Sequence, residues 1–372
     1  MKVLIVGSFV EPPFTAGEVN TILNWSKAIH SVGAYVRILS LSSIYSGYRK
    51  IYDLDFEYMK TNRPRFQSTL MDWFRLQKEI LKKAEEHDII HFAMGADGFS
   101  SAPMLTLLKT IRKKIINSYL SGLPDKKTFF NRVLLFDLLT VPSMRMFHSF
   151  LEMDKISKKL KMLPPCVDTS LFRPREKYAI REKLGLPQDR FLIFTSGHFR
   201  YGRNILPLIK IISELENKYK NVMLLIGWTG YGDINNVKDV FQTINKKEFV
   251  KIIRPTCSIN LYYNASDIYI LAAGANFVIE FPMSILEALS SGVPVIAFNV
   301  NAVPEIVKNN FNGYVVEYAD FAEVKSKLAY LIKDPCLLKC FSLNARNYVL
   351  NKFSCEVIGH KIYDIYREVV SS

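Results

Sequence analysis

The stretch Phe281-Pro282-Met283-Ser284-Ile285-Leu286-Glu287-Ala288-Leu289-Ser290-Ser291-Gly292-Val293-Pro294-Val295-Ile296-Ala297 leaves the chain few ways to fold. It reads as a loop, a helix that opens just after a proline, a glycine stop and a buried strand. Pro282 fixes the backbone where a missing N–H is harmless. Gly292 permits the left-handed cap that ends the helix. Val293–Ala297 is a short apolar run of parallel-strand type. A helix N-terminus at a loop attracts anions, because its free N–H groups and its dipole both point outward. Glu287 lies one to two turns in, where a carboxylate can accept hydrogen bonds from a diol such as ribose. The segment is thus suited to hold a phosphate and a sugar together.

The same alternation of short apolar runs with longer helical patterns recurs in both halves, and no internal repeat is visible. It predicts an α/β chain of parallel sheets flanked by helices. Strands are expected at Val3–Gly7, Tyr35–Ser40, Ile89–Ala93, Lys114–Ser118 and Leu139–Pro142, with helices near Glu18–Val32 and Leu70–Glu86. In the second half strands are expected at Phe191–Ser196, Val222–Gly227, Val250–Ile253, Ile268–Leu271 and Val293–Phe298, with helices near Ile205–Tyr219 and Val237–Asn245. Residues 43–65, rich in Tyr and Arg, read as a loop. A length of 372 residues fits two domains better than one core. The join falls near Leu163-Pro164-Pro165-Cys166-Val167, where paired prolines break regular structure. We therefore expect an N-terminal domain over 1–163 and a C-terminal domain over 164–355.

Composition limits the partners. No apolar run reaches the roughly 18 residues of a membrane span, and Met1–Gly7 reads as a core strand, not a signal peptide. The five cysteines, Cys166, Cys257, Cys336, Cys340 and Cys355, form no C-x-x-C pair, which suits a reduced, cytoplasmic setting. The net charge of +14 is spread, with 20 basic and 13 acidic residues in 1–150. It suits phosphorylated donors or an anionic membrane face. A nucleic-acid partner is not expected, for no basic and aromatic strip is present. The loop after the first strand lacks the G-x-G-x-x-G spacing of a dinucleotide site. Asp53-Leu54-Asp55 is a lone D-x-D, a pattern too common to assign a metal. No cofactor is expected.

The 281–297 segment resembles the nucleotide-sugar site of retaining GT-B glycosyltransferases of family 4, also termed glycosyl transferases group 1. Their pattern is Glu-x-Phe-(Gly/Pro)-x-x-x-x-Glu-Ala, then Gly-x-Pro-Val; Phe281, Pro282, Glu287, Ala288, Gly292, Pro294 and Val295 match it. The family spaces its glutamates eight apart, whereas Glu280 and Glu287 are seven apart. Two readings remain: a loop one residue shorter, or a lost first carboxylate with Glu280 as its neighbour. The linker resembles the family's Pro-x-Gly-Val-Asp, with Cys166 in place of the glycine.

The resemblance implies two Rossmann-like domains facing each other across a cleft, with the C-terminal helix 356–372 packing back on the first. It implies donor contacts from Pro282, Met283, Ser284, Glu287, Gly197 and Gly17. Gly17 keeps one position of the family's glycine pair and is otherwise a helix start. Arg200 and Arg203, in Ser196-Gly197-His198-Phe199-Arg200-Tyr201-Gly202-Arg203, stand where the family neutralises the diphosphate leaving group. His91, after Asp88, either faces the transferred sugar or is a satisfied histidine under the loop. Glu280 completes the catalytic set with Arg200, Arg203 and His91. The family's second histidine is missing; Tyr119 or Ser121 takes its place.

The resemblance thus implies a metal-independent, retaining glycosyltransferase. It would move a sugar from a nucleotide-sugar, a substrate and not a cofactor, to a glycan or lipid-linked acceptor. The alternative is a glycosyltransferase-like ligand-binding protein impaired in catalysis. The helix at Leu70–Lys83 mixes aromatic and basic residues. It either rests peripherally on the inner membrane face or turns Leu70, Trp73, Phe74, Ile80 and Leu81 inward.

Overall fold

The computed structural model describes residues 1–14, 16–64, 67–93, 101–120, 133–152, 157–244, 247–256 and 258–372. Ser121, Cys257 and the expected helix end at Asn245 lie outside them. The chain divides into two compact units. One holds Met1–Cys166, Ile279–Phe281 and Phe353–Ser372; the other holds Val167–Val278 and Pro282–Lys352.

The described residues of the first unit form eight strands: β1 (Lys2–Ser8), β2 (Tyr35–Ser42), β3 (Gly47–Ile51), β4 (Leu54–Lys60), β5 (Ile89–Phe92), β6 (Lys114–Ser118), β7 (Leu138–Val141) and β8 (Leu160–Met162). Their order is β3-β4-β2-β1-β5-β6-β7-β8. All neighbours are parallel except β3 with β4. Val3 pairs with Val36 on one side and Ile89 on the other, so β1 is central. Its side chains alternate between two cores. Val3 and Ile5 meet Ile22, Trp25 and Ile362 on one face. Leu4 and Val6 meet Leu76, Ile80 and Leu105 on the other. The helix Cys355–Ser371 closes the first core against the helix Gly17–Ser31. The two approach so closely that a Cβ on Gly359 would sit 2.6 Å from the Ala28 carbonyl oxygen.

Residues 43–65, expected as a loop, instead contain the β3–β4 hairpin. Tyr52 and Asp53 turn it, both at positive φ (52° and 61°), the backbone of a two-residue turn whose twist suits the flanking strands. The sequence hides it for two reasons. Tyr-Asp lacks the Asn-Gly signature, and Gly47–Lys50 is exposed at every position, so no alternation marks the strand.

The second unit holds β9 (Phe191–Phe199), β10 (Val222–Gly232), β11 (Val250–Ile253), β12 (Ile268–Leu271), β13 (Val295–Phe298) and β14 (Gly313–Val316). The order is β11-β10-β9-β12-β13-β14, parallel throughout. This is the doubly wound arrangement, whose order reverses between β9 and β12. Ile193, Leu224, Ile270 and Ile296 form its core with Leu208, Ile212 and Leu328. The helix Met283–Ser290 begins after Pro282 and is followed by Gly292 at φ 73°, as the sequence predicts.

Candidate functional site

Open α/β sheets bind ligands outside the carboxyl ends of the strands, where the strand order reverses. In the second unit that place is the end of β9, which carries Ser196, Gly197 and His198, together with the segment after β12. A 3₁₀ turn, Tyr201–Arg203, then leads through Asn204 into the helix Ile205–Tyr219. Asn204 donates through Nδ2 to the Ala272 carbonyl at 2.9 Å, and the Gly274 N–H donates to the Gly202 carbonyl at 2.8 Å. These bonds tie the arginine turn to the end of β12.

The turn aims Arg203 back across β9. A Cβ on Gly197 would lie 2.9 Å from the Arg203 Nη1, and Gly197 has φ 147°, so a side chain there meets both the guanidinium and backbone strain. Arg203 Nε is buried without a hydrogen-bond partner among the described residues. Burial holds the guanidinium below its ordinary value; Tyr269 opposes the shift and Arg200 adds to it. Arg200 is exposed. Burial and then the two arginines push His198 down to about 4, leaving it a neutral ring. His198 Nδ1 is 2.5 Å from the Thr229 hydroxyl.

Glu287 lies beside this group. Tyr263, on the helix Ile259–Ala265, donates its hydroxyl to Glu287 Oε2 at 2.9 Å; Oε1 has no such partner among the described residues. Desolvation lifts the carboxyl to about 7, against the opposing hydrogen bond from Tyr263. The Tyr269 hydroxyl is 3.1 Å from the Ser196 hydroxyl at the end of β9. The helix Met283–Ser290 has Pro282 as N-cap and no side-chain cap, so its first N–H groups are left for other acceptors. The second unit thus groups Arg203, Gly197, Ser284 and Glu287: a cation, a close backbone approach, a helix start and a carboxyl. That set suits an anion joined to a diol.

The remaining sequence-predicted residues fall in the first unit, each in its own setting. His91 is fully buried, with Nδ1 2.6 Å from the Tyr366 hydroxyl and Nε2 2.6 Å from the Ser118 hydroxyl, and its ring stacks on Trp25. Of the two readings, this placement is the satisfied core histidine. Glu280 is buried too. Its Oε1 accepts from Ser143 Oγ (2.7 Å) and Arg145 Nε (2.9 Å), and its Oε2 accepts from Arg145 Nη2. Both oxygens therefore accept hydrogen bonds from within the first unit. Gly17 opens its helix beneath Ile279, whose Cδ1 would be 2.6 Å from a Cβ there. Tyr119 is buried against Phe150. Asp55 accepts hydrogen bonds from the Tyr35 hydroxyl of β2 at 2.6 Å and from the Tyr48 hydroxyl of the hairpin at 2.7 Å. Nothing in the local sequence marks which tyrosine reaches Glu287 or Ser196, so Tyr263 and Tyr269 were not among the expected site residues.

On the helix Leu70–Ala84, Leu76, Ile80 and Ala84 are buried and Trp73 and Leu81 pack on the core. Leu70, Met71 and Phe74 stay 78%, 65% and 64% exposed, so only part of the expected apolar face turns inward. Among the described residues no helix is long and apolar enough to cross a membrane.

Comparison with known proteins shows what this arrangement resembles. Residues 176–348 match the family model described as glycosyl transferases group 1. The UDP-Gal:alpha-D-GlcNAc-diphosphoundecaprenol alpha-1,3-galactosyltransferase of Escherichia coli is 30% identical over 219 residues, covering 57% of this chain and 55% of that protein. The chain spans about half the length of the curated relatives it matches. Sucrose-phosphate synthase from Thermosynechococcus elongatus shares its fold at a TM-score of 0.79 and 15% identity, over 100% of this chain and 99% of that one. Anabaena Alr3699/HepE, solved in complex with UDP, does so at 0.76 and 17%, over 99% and 100%. Residues 176–348 thus match the glycosyl transferases group 1 family model, on a chain that shares the GT-B fold of these solved structures.

Proposed function

We propose that this protein is a glycosyltransferase that moves a sugar from a nucleotide-sugar to an acceptor, with the second unit binding the donor. The observation that carries the reading is the placing of Arg203 and Glu287 at the point where strand order reverses, with Arg203 Nε and Glu287 Oε1 each lacking a hydrogen-bond partner among the described residues. Arg200, Arg203 and the start of Met283–Ser290 hold the diphosphate, and Glu287 Oε1 takes a ribose hydroxyl. Negative charge grows on the diphosphate as the sugar leaves, and fixed cations lower that barrier. We take the reaction to be retaining and independent of metal, since two arginines and a helix terminus supply the positive charge. The E. coli relative acts on a diphosphoundecaprenol-linked sugar, which supports a lipid-linked acceptor for this chain.

A second reading, donor binding without turnover, is favoured by two observations. His91 and Glu280, the other residues expected to act on the sugar, are enclosed in hydrogen bonds of the first unit. A thermal-shift screen with UDP, GDP, ADP and their sugars, followed by assay of released nucleotide with a polyprenyl-diphosphate sugar, tests both. A melting-point rise with one nucleotide is expected, together with nucleotide release that survives EDTA. A rise without release selects the second reading. No rise with any nucleotide overturns both.

A further inference from the structure

Cys166 ends the first unit's main run of chain, and Cys355 lies two residues after Phe353, where the chain returns to that unit. The two positions are 189 residues apart in sequence, yet their sulfurs are 3.3 Å apart. Both are held by the same turn of the helix Gly17–Ser31. Asn24 Nδ2 donates to the Cys166 carbonyl at 3.0 Å, and the Cys355 Sγ faces the Asn24 carbonyl at 3.8 Å. The neighbouring Trp25 Nε1 donates to the Pro164 carbonyl at 3.1 Å. Cys166 is fully buried, whereas Cys355 is partly exposed at the head of Cys355–Ser371. Cys336 and Cys340, both exposed, are on the helix Pro335–Lys352 of the second unit.

We infer that Cys166 and Cys355 form a reversible disulfide on exposure to a peroxide, an oxidant-sensitive clasp between the chain's exit from the first unit and its return. A disulfide bond is about 2.05 Å long, so the sulfurs need to approach by little more than 1 Å. The accessible Cys355 thiol attacks the peroxide O–O bond, giving a sulfenic acid and releasing water. The Cys166 sulfur then attacks the Cys355 sulfur; the S–S bond forms and a second water leaves. Two thiols lose two electrons and the peroxide gains them. A dithiol reductant reverses the bond. The clasp does not depend on what the second unit binds.

The test uses the full chain, treated with hydrogen peroxide at one equivalent, denatured in an alkylating agent and measured by intact mass and peptide mapping. The expected result is loss of two alkylatable thiols of the five and one cross-linked pair of peptides carrying Cys166 and Cys355. Dithiothreitol should restore all five. Cys355→Ser should retain its four alkylatable thiols at the same dose, while a Cys336→Ser/Cys340→Ser variant should still form the cross-link. Five alkylated thiols, a sulfinic acid on Cys355 without a cross-link, or a cross-link through another cysteine would each overturn the inference.

Discussion

The Glu287 carboxyl would tie the proposed donor binding to pH. Burial lifts it from 4.5 to about 7, so the folded protein keeps a proton that the unfolded chain releases above about 4.5. Stability from this group is therefore full below about 4.5 and falls as pH rises to about 7, by about 1–3 kcal/mol after allowance for solvent access. Glu287→Gln cannot ionise, so it should melt higher than the parent at pH 8 and alike near pH 4.5. Equal differences at both pH values would show that the carboxyl is not desolvated. The same variant should weaken nucleotide binding about ten- to a hundred-fold by calorimetry at pH 8, the loss of a charged hydrogen bond. Arg203 differs in kind. If it acts on the leaving group, Arg203→Ala should lower kcat more than it raises the donor KM, and Arg203→Lys should recover part of kcat. A change confined to KM would make it a binding contact only.

At the scale of elements, the crossing of Cys355–Ser371 with Gly17–Ser31 is the most sensitive joint. Gly359→Ala puts a Cβ 2.6 Å from the Ala28 carbonyl, and forced separation of the two helices should cost about 1–3 kcal/mol. A lowered urea midpoint with unchanged m-value is the expected reading, and an unchanged midpoint would mean the helices part freely. The elements themselves were legible where apolar runs were long. The strands Lys114–Ser118, Val250–Ile253 and Ile268–Leu271 and the helix Ile205–Tyr219 coincide with their expected bounds. The strands Leu160–Met162 and Gly313–Val316 were passed over: the first is only three residues long and is interrupted by Lys161, and the second opens on a glycine, which weakens a strand signal.

For the molecule as a whole, the net charge of +14 and the exposed Leu70, Met71 and Phe74 beside Arg75, Lys78 and Lys82 set a test of the membrane-borne acceptor. Sedimentation with anionic vesicles at low salt should carry the protein down, and Phe74→Ser should reduce it several-fold, since basic residues near an anionic surface contribute about 1 kcal/mol each and an aromatic adds an anchor. Equal sedimentation with neutral vesicles would leave a dissolved acceptor as the better reading.

The sequence by itself determined the α/β alternation and the loop–helix–strand segment whose helix stops at Gly292. Those features rest on neighbours within a turn or two, where apolar period, proline and glycine act directly on the backbone. Only the tertiary structure decided the pairings. His91 meets Tyr366 across 275 residues, Glu280 meets Arg145 across 135, and Cys355 meets Cys166 across 189. Local sequence holds no trace of such partners, because burial and hydrogen bonding at these positions depend on which distant strand or helix the sheet order brings alongside.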